Sequence, residues 1–200
     1  EGLENQGKPK QIRNFLFQLE RQSGRSIPRK SDFRDWPEAL AELAPAVKGQ
    51  RAVILLDEFQ WTANYRSDLV TALKMVWEQY LGRAGKVTLI LCGSIASFLQ
   101  KKVLRSKALY GRTSLCIHLK PFQLEDSAKL LSGRGWEEVI LAQLLVGGIP
   151  LYLELLGAED SILAGMGRLA FRETGYFAEE YERIFVSHFG SSGKYDGVLN

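Results

Sequence analysis

The stretch that decides the fold reads Ala52-Val53-Ile54-Leu55-Leu56-Asp57-Glu58, a short apolar run that ends in two adjacent carboxylates. Apolar residues at consecutive positions are typical of a strand that is buried on both faces, as in a parallel sheet. A second run of this kind spans 87–92 and ends in Gly93 and Ser94, and a third spans 114–119. We therefore predict three parallel strands, with the two acids at the carboxyl end of the first, where open parallel sheets bind their ligands.

Segments with helical periodicity surround these strands. Apolar residues recur at helical spacing in 8–22, in 36–47 and most clearly in 67–81. From Leu124 onward the pattern is helical, with a break at Gly147-Gly148-Ile149-Pro150. Helices that alternate with strands and then continue alone predict an α/β fold, in which a parallel sheet is covered by helices and a helical segment follows.

The composition is that of a soluble globular domain, with 46% hydrophobic residues and a formal net charge of +3 in 200 residues. This charge is too small to indicate a nucleic-acid partner by itself. Cys92 and Cys116 lie in predicted strands, so we expect buried, inert thiols, and with two histidines we expect no zinc site. No apolar run approaches the ~20 residues of a membrane span, and no signal peptide is recognisable, so we expect a cytoplasmic protein without a membrane partner.

The acid pair has the chemistry of a metal and water site. Mg²⁺ prefers hard oxygen ligands, and a second carboxylate can accept a proton from an attacking water. Neighbours on a strand point to opposite faces, so Asp57 and Glu58 can take different roles. Read alone, the pair could equally form a solvated turn, Ser94 could bind phosphate or cap a helix, and Arg112 could reach phosphate charge or form a surface salt bridge.

Several segments, taken in order, resemble motifs of the prokaryotic AAA-type ATPases of the STAND-like, archaeal-ATPase group. They are the Walker B-like Leu55-Leu56-Asp57-Glu58-Phe59-Gln60-Trp61, the sensor-1-like Leu91-Cys92-Gly93-Ser94, the segment Tyr110-Gly111-Arg112 and the lid signature Gly147-Gly148-Ile149-Pro150-Leu151-Tyr152-Leu153. Residues 2–6 resemble the stretch after the second strand of that family. The resemblance implies an ASCE-type P-loop NTPase core at 1–122, a helical lid at 123–190, and a linker or the start of a winged-helix segment at 191–200.

The same resemblance implies roles for single residues. Asp57 would be the acid associated with Mg²⁺, Glu58 the catalytic base and Ser94 the residue that contacts the γ-phosphate of ATP. Arg112 would act as an arginine finger or would only stabilise the fold.

One part of that family's pattern does not occur in the chain, the phosphate-binding loop Gly-x-x-x-x-Gly-Lys-Ser/Thr. Segments 82–87 and 190–195 approach it, but their spacing is short and no hydroxyl follows the lysine. In the family's sheet the first strand lies between those expected here at 87–92 and 114–119, and each buried backbone group left unpaired costs about 1–3 kcal/mol. Three solutions stay open: the two strands pair directly, a second chain donates a strand, or the sequence is a fragment.

Two functions follow from this reading. The first is an ATP-binding and ATP-hydrolysing domain that is impaired in binding ATP as the isolated chain. The alternative is a non-catalytic, degenerate relative that associates with itself through the sheet or binds another protein. An unrelated metal hydrolase built on Asp57 and Glu58 would lack further ligands. Residues 195–200 resemble the start of a winged helix. DNA association would belong to the segments that follow them.

Overall fold

A computed structural model describes residues 1–27, 33–63, 68–82, 86–94 and 96–180, with only the backbone at Ala96 and Ser97. The chain forms two compact units, Glu1–Cys116 and Ile117–Asn200. The predicted linker or winged-helix start at 191–200, and the last part of the predicted lid, lie outside the described residues. The division into an ATPase core and a lid therefore stays a prediction.

The first unit alternates helices and strands, as the sequence predicts. Its elements are α1 (Lys8–Ser23), α2 (Trp36–Ala41), α3 (Leu43–Ala46), β1 (Ala52–Leu56), α4 (Phe59–Thr62), α5 (Leu69–Val76), β2 (Val87–Leu91) and α6 (Ala96–Leu99). Helix α5 continues into a π-helical turn at Trp77–Leu81, and α6 into another at Gln100–Leu104.

The sheet consists of β1 and β2, which run parallel with Ala52 opposite Val87 and Leu56 opposite Leu91. Parallel pairing across a helical crossover confirms the α/β prediction in its coarse form. One face of the sheet packs against the core of the unit through alternate residues of both strands. The expectation of burial on both faces is wrong for the described residues, because Val53, Leu55 and Ile90 on the other face are exposed.

The predicted third strand is also wrong. Residues 114–119 are irregular, and Leu115, Ile117 and Leu119 are exposed at 72%, 70% and 85%. A strand exists only when a neighbouring strand pairs with its backbone N–H and C=O groups, and the described sheet contains two strands. One of the three solutions left open was direct pairing of this segment with β2. The described residues do not form that pairing.

Helices of the first unit pack against the face of the sheet that carries Ile54 and Leu89. The predicted helix at 8–22 is confirmed as α1, which has proline in its first turn and ends at Gly24 with a φ of 67°. Its apolar stripe packs into the core and is buried at Ile12 and Leu16. The partly buried Phe15 meets the ring of Trp36 on α2 edge to face at 6.0 Å. The predicted stripe of α5 is likewise buried at Leu69, Leu73 and Val76.

The second unit is helical in its described part. It contains α7 (Leu124–Leu130), α8 (Trp136–Val146), α9 (Pro150–Gly157) and α10 (Ile162–Ala170), followed by a helical stretch at 176–180. Its core is formed by Leu131, Val139, Ala142, Leu153, Leu156 and Ile162. The predicted break at the Gly-Gly-Ile-Pro motif is confirmed between α8 and α9, where Gly147 has a φ of 67°.

None of the helices traced in the described ranges has the length and apolar character that crossing a membrane requires.

Candidate functional site

The acid pair lies where β1 ends and the chain turns into α4. The ladder between the strands continues past them, because the Cys92 N–H donates to the Leu56 carbonyl at 3.0 Å and the Phe59 N–H donates to the Cys92 carbonyl at 2.9 Å. These bonds place the residues after β1 beside the residues after β2. Asp57 and Glu58 are therefore at the carboxyl edge of the sheet, as the sequence predicts.

The backbone of Glu58 adopts a left-handed conformation, with φ of 48° and ψ of 46°. For a residue other than glycine this conformation costs about 1–2 kcal/mol, and strain of this kind is concentrated at functional sites. The Glu58 N–H donates to Oδ1 of Asp57 at 2.9 Å, which links the two acids through the turn.

Ser94 contacts the Glu58 carboxylate from the end of β2. Its Oγ donates to Oε2 of Glu58 at 3.4 Å, and it accepts from Nε2 of Gln60 at 3.0 Å. The same Gln60 Nε2 also donates to Oε2 of Glu58. The structure thus brings three of the four predicted site residues, Asp57, Glu58 and Ser94, to one edge of the sheet. The roles assigned to them stay predictions.

Arg112, the fourth predicted residue, is engaged elsewhere in the first unit. Its Nη2 contacts Glu78 in the π-helical turn after α5, and its Nη1 donates to the Tyr110 carbonyl at 3.1 Å. The hydrogen bond from Arg112 lowers the pKa of Glu78. These contacts hold the segment around Gly111 against the helix, so in this conformation the guanidinium acts as a tie within the fold.

The sequence interpretation missed Gln60 as a site residue. It is 5% exposed, and its amide joins Glu58 to Ser94. The signal that could have found it is a polar residue between Phe59 and Trp61, directly after the acid pair. A lone glutamine is too common in surface helices for that signal to decide.

Gln11 was missed as well, and it fastens the start of the chain to the site. Its Oε1 accepts the Leu3 N–H at 3.0 Å, and its Nε2 donates to the Trp61 carbonyl at 3.0 Å. The Gly2 N–H donates to the Asp57 carbonyl at 2.9 Å, and a Cβ at Gly2 would lie 2.5 Å from the Glu58 carbonyl oxygen. Residues 1–3 therefore support the acid turn from one side.

Both cysteines are exposed, which corrects the expectation of buried thiols. Cys92 follows β2 at the edge of the sheet, and Cys116 lies in the segment that forms no strand. Partial desolvation raises the pKa of the Cys92 thiol, and the hydrogen bond and negative charge of Asp57 raise it further. Cys92 is thus a probe of the Asp57 charge.

The donor set suits Mg²⁺ better than a transition metal. Two carboxylates and a hydroxyl are hard oxygen donors, and Mg²⁺ is commonly held by one or two carboxylates together with water and substrate phosphates. Among the described residues, no group of three or more His, Cys, Asp or Glu side chains is arranged to hold a metal ion. The described residues therefore supply too few ligands to hold Mg²⁺ without further oxygen donors.

A cavity of about 240 Å³ lies between α1 and the outer edge of β1. Asn14, Gln18 and Gln22 form part of its helical wall, Val53 and Leu55 form part of its strand wall, and it reaches Asp57. Its volume is below the about 300–1,000 Å³ of typical small-molecule pockets.

Comparisons with known proteins place the fold. No family model matches the chain. An uncharacterized protein of Methanocaldococcus jannaschii is 29% identical over 103 residues, which are 51% of this chain and 23% of that protein. A solved Walker-type ATPase of Pyrococcus abyssi superimposes with a TM-score of 0.52 and 18% identity, over 90% of this chain and 58% of that one. The chain thus spans 23% of the length of the Methanocaldococcus protein and 58% of the Pyrococcus chain. Its fold is similar to that of a Walker-type ATPase.

Proposed function

We propose that this chain carries the hydrolytic edge of a P-loop ATPase, of the prokaryotic AAA-type, STAND-like group that its motifs resemble. The observation that carries the proposal is the contact of Ser94 with the Glu58 carboxylate at the carboxyl edge of parallel strands, next to Asp57. An acid pair and a hydroxyl at this edge can bind Mg²⁺, accept a proton from an attacking water and contact a phosphate oxygen, which are parts of phosphoanhydride hydrolysis.

Each residue would contribute one part of the chemistry. Asp57 would hold the Mg²⁺ that accompanies ATP, directly or through water, and the ion would neutralise charge on the phosphates. Glu58 would accept the proton of the attacking water through its carboxylate. With ATP bound, Ser94 would turn its single hydroxyl hydrogen from Oε2 of Glu58 to an oxygen of the γ-phosphate. The phosphate-binding loop is not encoded in these 200 residues, so we expect the isolated chain to bind ATP weakly.

The test compares Asp57→Ala and Glu58→Gln with the wild type, in this chain and in the product of the complete gene. Loss of a general base costs about 10²–10⁴-fold in rate, so Glu58→Gln should abolish most phosphate release while retaining Mg-ATP binding by calorimetry. Asp57→Ala should weaken Mg²⁺-dependent binding. Hydrolysis by Glu58→Gln at the wild-type rate in the complete gene product would refute the assignment.

Arg112 needs a matched pair of variants, because its observed partner is Glu78. If the arginine only ties the fold, Arg112→Ala and Glu78→Ala should have similar effects on stability and on turnover. An arginine finger is worth about 10³–10⁵-fold in rate, so a finger would make Arg112→Ala far more damaging to turnover than Glu78→Ala.

One observation favours the non-catalytic alternative, a module that associates through its sheet. The Ala52 N–H donates to the Lys86 carbonyl, and the Leu56 carbonyl accepts from the Cys92 N–H, so the backbone groups of Ala52 and Leu56 point toward β2. Because this direction alternates along a strand in a parallel ladder, the backbone groups of Val53 and Leu55 point away from β2, to the outer edge of the sheet. Their side chains are exposed. A two-stranded sheet is marginal alone, so a second copy is a natural source of further strands.

Light scattering after size-exclusion chromatography tests this alternative. If the sheet mediates association, the wild type should elute as an oligomer and Val53→Lys as a monomer. The control is Leu163→Lys, which places the same charge at an exposed leucine of α10 in the second unit and should leave the mass unchanged. A monomeric wild type would contradict association through the sheet.

A further inference from the structure

The side chain of Gln60 is buried at the site but has no part in the proposed chemistry. Its Nε2 donates to two acceptors, Oε2 of Glu58 and Oγ of Ser94, which belong to the ends of two different strands. Both described contacts of the Glu58 carboxylate, from Gln60 and from Ser94, go to Oε2. Among the described residues no hydrogen bond reaches the other oxygen, Oε1, so that it is available to accept a proton.

Gly93 leaves the space that the Gln60 amide occupies. A Cβ at Gly93 would lie 2.2 Å from Oε1 of Gln60 and 3.3 Å from its Cδ, so the amide occupies space that only a glycine leaves open. Turning the amide over would place its carbonyl oxygen against the Glu58 carboxylate, where two acceptors would repel each other. The charge of Glu58 therefore selects the orientation in which the NH₂ group faces its carboxylate, and the missing Cβ of Gly93 leaves room for the amide.

This orientation has a cost that the fold itself does not explain. Oε1 of Gln60 is buried and has no hydrogen-bond partner among the described residues. A buried acceptor without a partner is destabilising, and unsatisfied groups of this kind are uncommon in folded proteins. An apolar side chain of similar length would avoid the cost, so the amide is retained for what its NH₂ group does.

We propose that Gln60 is a positioning residue for Glu58. Its NH₂ group fixes Oε2 of Glu58 next to Ser94, so that Oε1 faces the position of the attacking water. The left-handed backbone of Glu58 directs the side chain out of the strand, and Gln60 then sets where the carboxylate ends. This inference rests on the proposed ATPase function, because positioning a base matters only where the base acts.

The first measurement is a double-mutant cycle that does not depend on activity. Gln60→Met has nearly the shape of glutamine without its hydrogen bonds, and it is combined with Glu58→Ala in the 200-residue chain. A net hydrogen bond of about 1 kcal/mol corresponds to about five-fold in the unfolding equilibrium constant. We expect urea unfolding to show about this coupling between the two sites, whereas additive effects would overturn the proposal.

The second measurement separates positioning from folding in the complete gene product. Displacing a reacting group by about 1 Å can cost about 10²-fold in rate, so Gln60→Met should lower kcat at least about ten-fold with KM within about two-fold. Gly93→Ala, which displaces the amide without removing it, should do the same. The control is Gln143→Met on α8 of the second unit, a partly buried glutamine whose Nε2 donates to the Phe122 carbonyl at 3.0 Å, which should lower stability without lowering kcat.

The outcomes distinguish the two proposals. If unfolding shows coupling between Gln60 and Glu58 but neither the 200-residue chain nor the complete gene product hydrolyses ATP, the contact is supported and the ATPase assignment is overturned. Hydrolysis that Glu58→Gln abolishes and Gln60→Met leaves unchanged would overturn the positioning role and retain the ATPase. Loss of kcat in Gln60→Met and Gly93→Ala, together with coupling to Glu58, would support both.

Discussion

Replacing Gly148 by alanine should destabilise the second unit strongly. An ideal Cβ at Gly148 would lie 2.0 Å from the carbonyl oxygen of Phe122 and 2.5 Å from its nitrogen. These are backbone atoms, so no rotation of a side chain relieves the clash. The carbonyl of Gly148 also accepts the Phe122 N–H at 2.7 Å, so the segments must separate at the point where they are bonded.

The magnitude follows from two terms. Overpacking in a well-packed region costs about 1–3 kcal/mol, and loss of the bond between Phe122 and Gly148 adds about 1 kcal/mol. We expect Gly148→Ala to lower the free energy of unfolding by about 2–4 kcal/mol. The matched control is Gly167→Ala inside α10, where nothing lies within 4 Å of the new Cβ. Alanine in a helix interior gains about 0.5–1 kcal/mol over glycine, so the control should be more stable than the wild type.

The assay is urea unfolding followed by far-ultraviolet circular dichroism, with amide hydrogen exchange read by peptide. Exchange in Gly148→Ala should accelerate in α8 and α9, while α1 and α5 in the first unit keep wild-type protection. The reasoning is refuted if Gly148→Ala and Gly167→Ala change the free energy of unfolding with the same sign, or if Gly148→Ala stays within about 0.5 kcal/mol of the wild type.

Two further predictions use charge. In a Cys116→Ser background, Asp57→Asn should lower the pKa of Cys92, since it removes the negative charge that disfavours the thiolate, and alkylation near neutral pH should become faster; an unchanged rate would contradict the contact. The hydrogen bond from Arg134 at 2.7 Å, and after it the one from the Ile162 N–H, lowers the pKa of Glu138 below its ordinary value of 4.5. The ionised carboxylate therefore stabilises the fold above pH 4.5, and this contribution is lost as the pH falls through the pKa of Glu138 in the folded protein. Glu138→Gln should therefore lose less stability than the wild type between neutral and acid pH, and equal losses would contradict this.

Local sequence patterns predicted most elements of the fold. The apolar runs at β1 and β2, the helical stripes of α1 and α5, and the break at the Gly-Gly-Ile-Pro motif are all in the structure. These features depend on the spacing of apolar residues and on backbone freedom at glycine, which a short window of sequence contains. The adjacency of the acids to Ser94 also followed, because parallel strands end at the same edge of a sheet.

Strand formation at 114–119 could not be judged in this way. The run has the composition of a strand, yet the segment is irregular and its apolar residues are exposed. Pairing requires a partner whose position depends on the whole sheet, and no local pattern reports whether that partner is there. The same reason explains why Val53 and Leu55 are exposed although their run indicated burial on both faces.

The amino-acid sequence alone determined the strands β1 and β2, the helices α1 and α5, and the residues that stand at the end of the acid-bearing strand, because these features depend on neighbours in the chain. Only the tertiary structure decided that Arg112 joins Glu78 and that Gln60 is wedged against Gly93 to hold Glu58. Those contacts join residues that are about 30 positions apart or depend on a left-handed turn at Glu58. They arise from packing in three dimensions, which periodicity along the chain does not record.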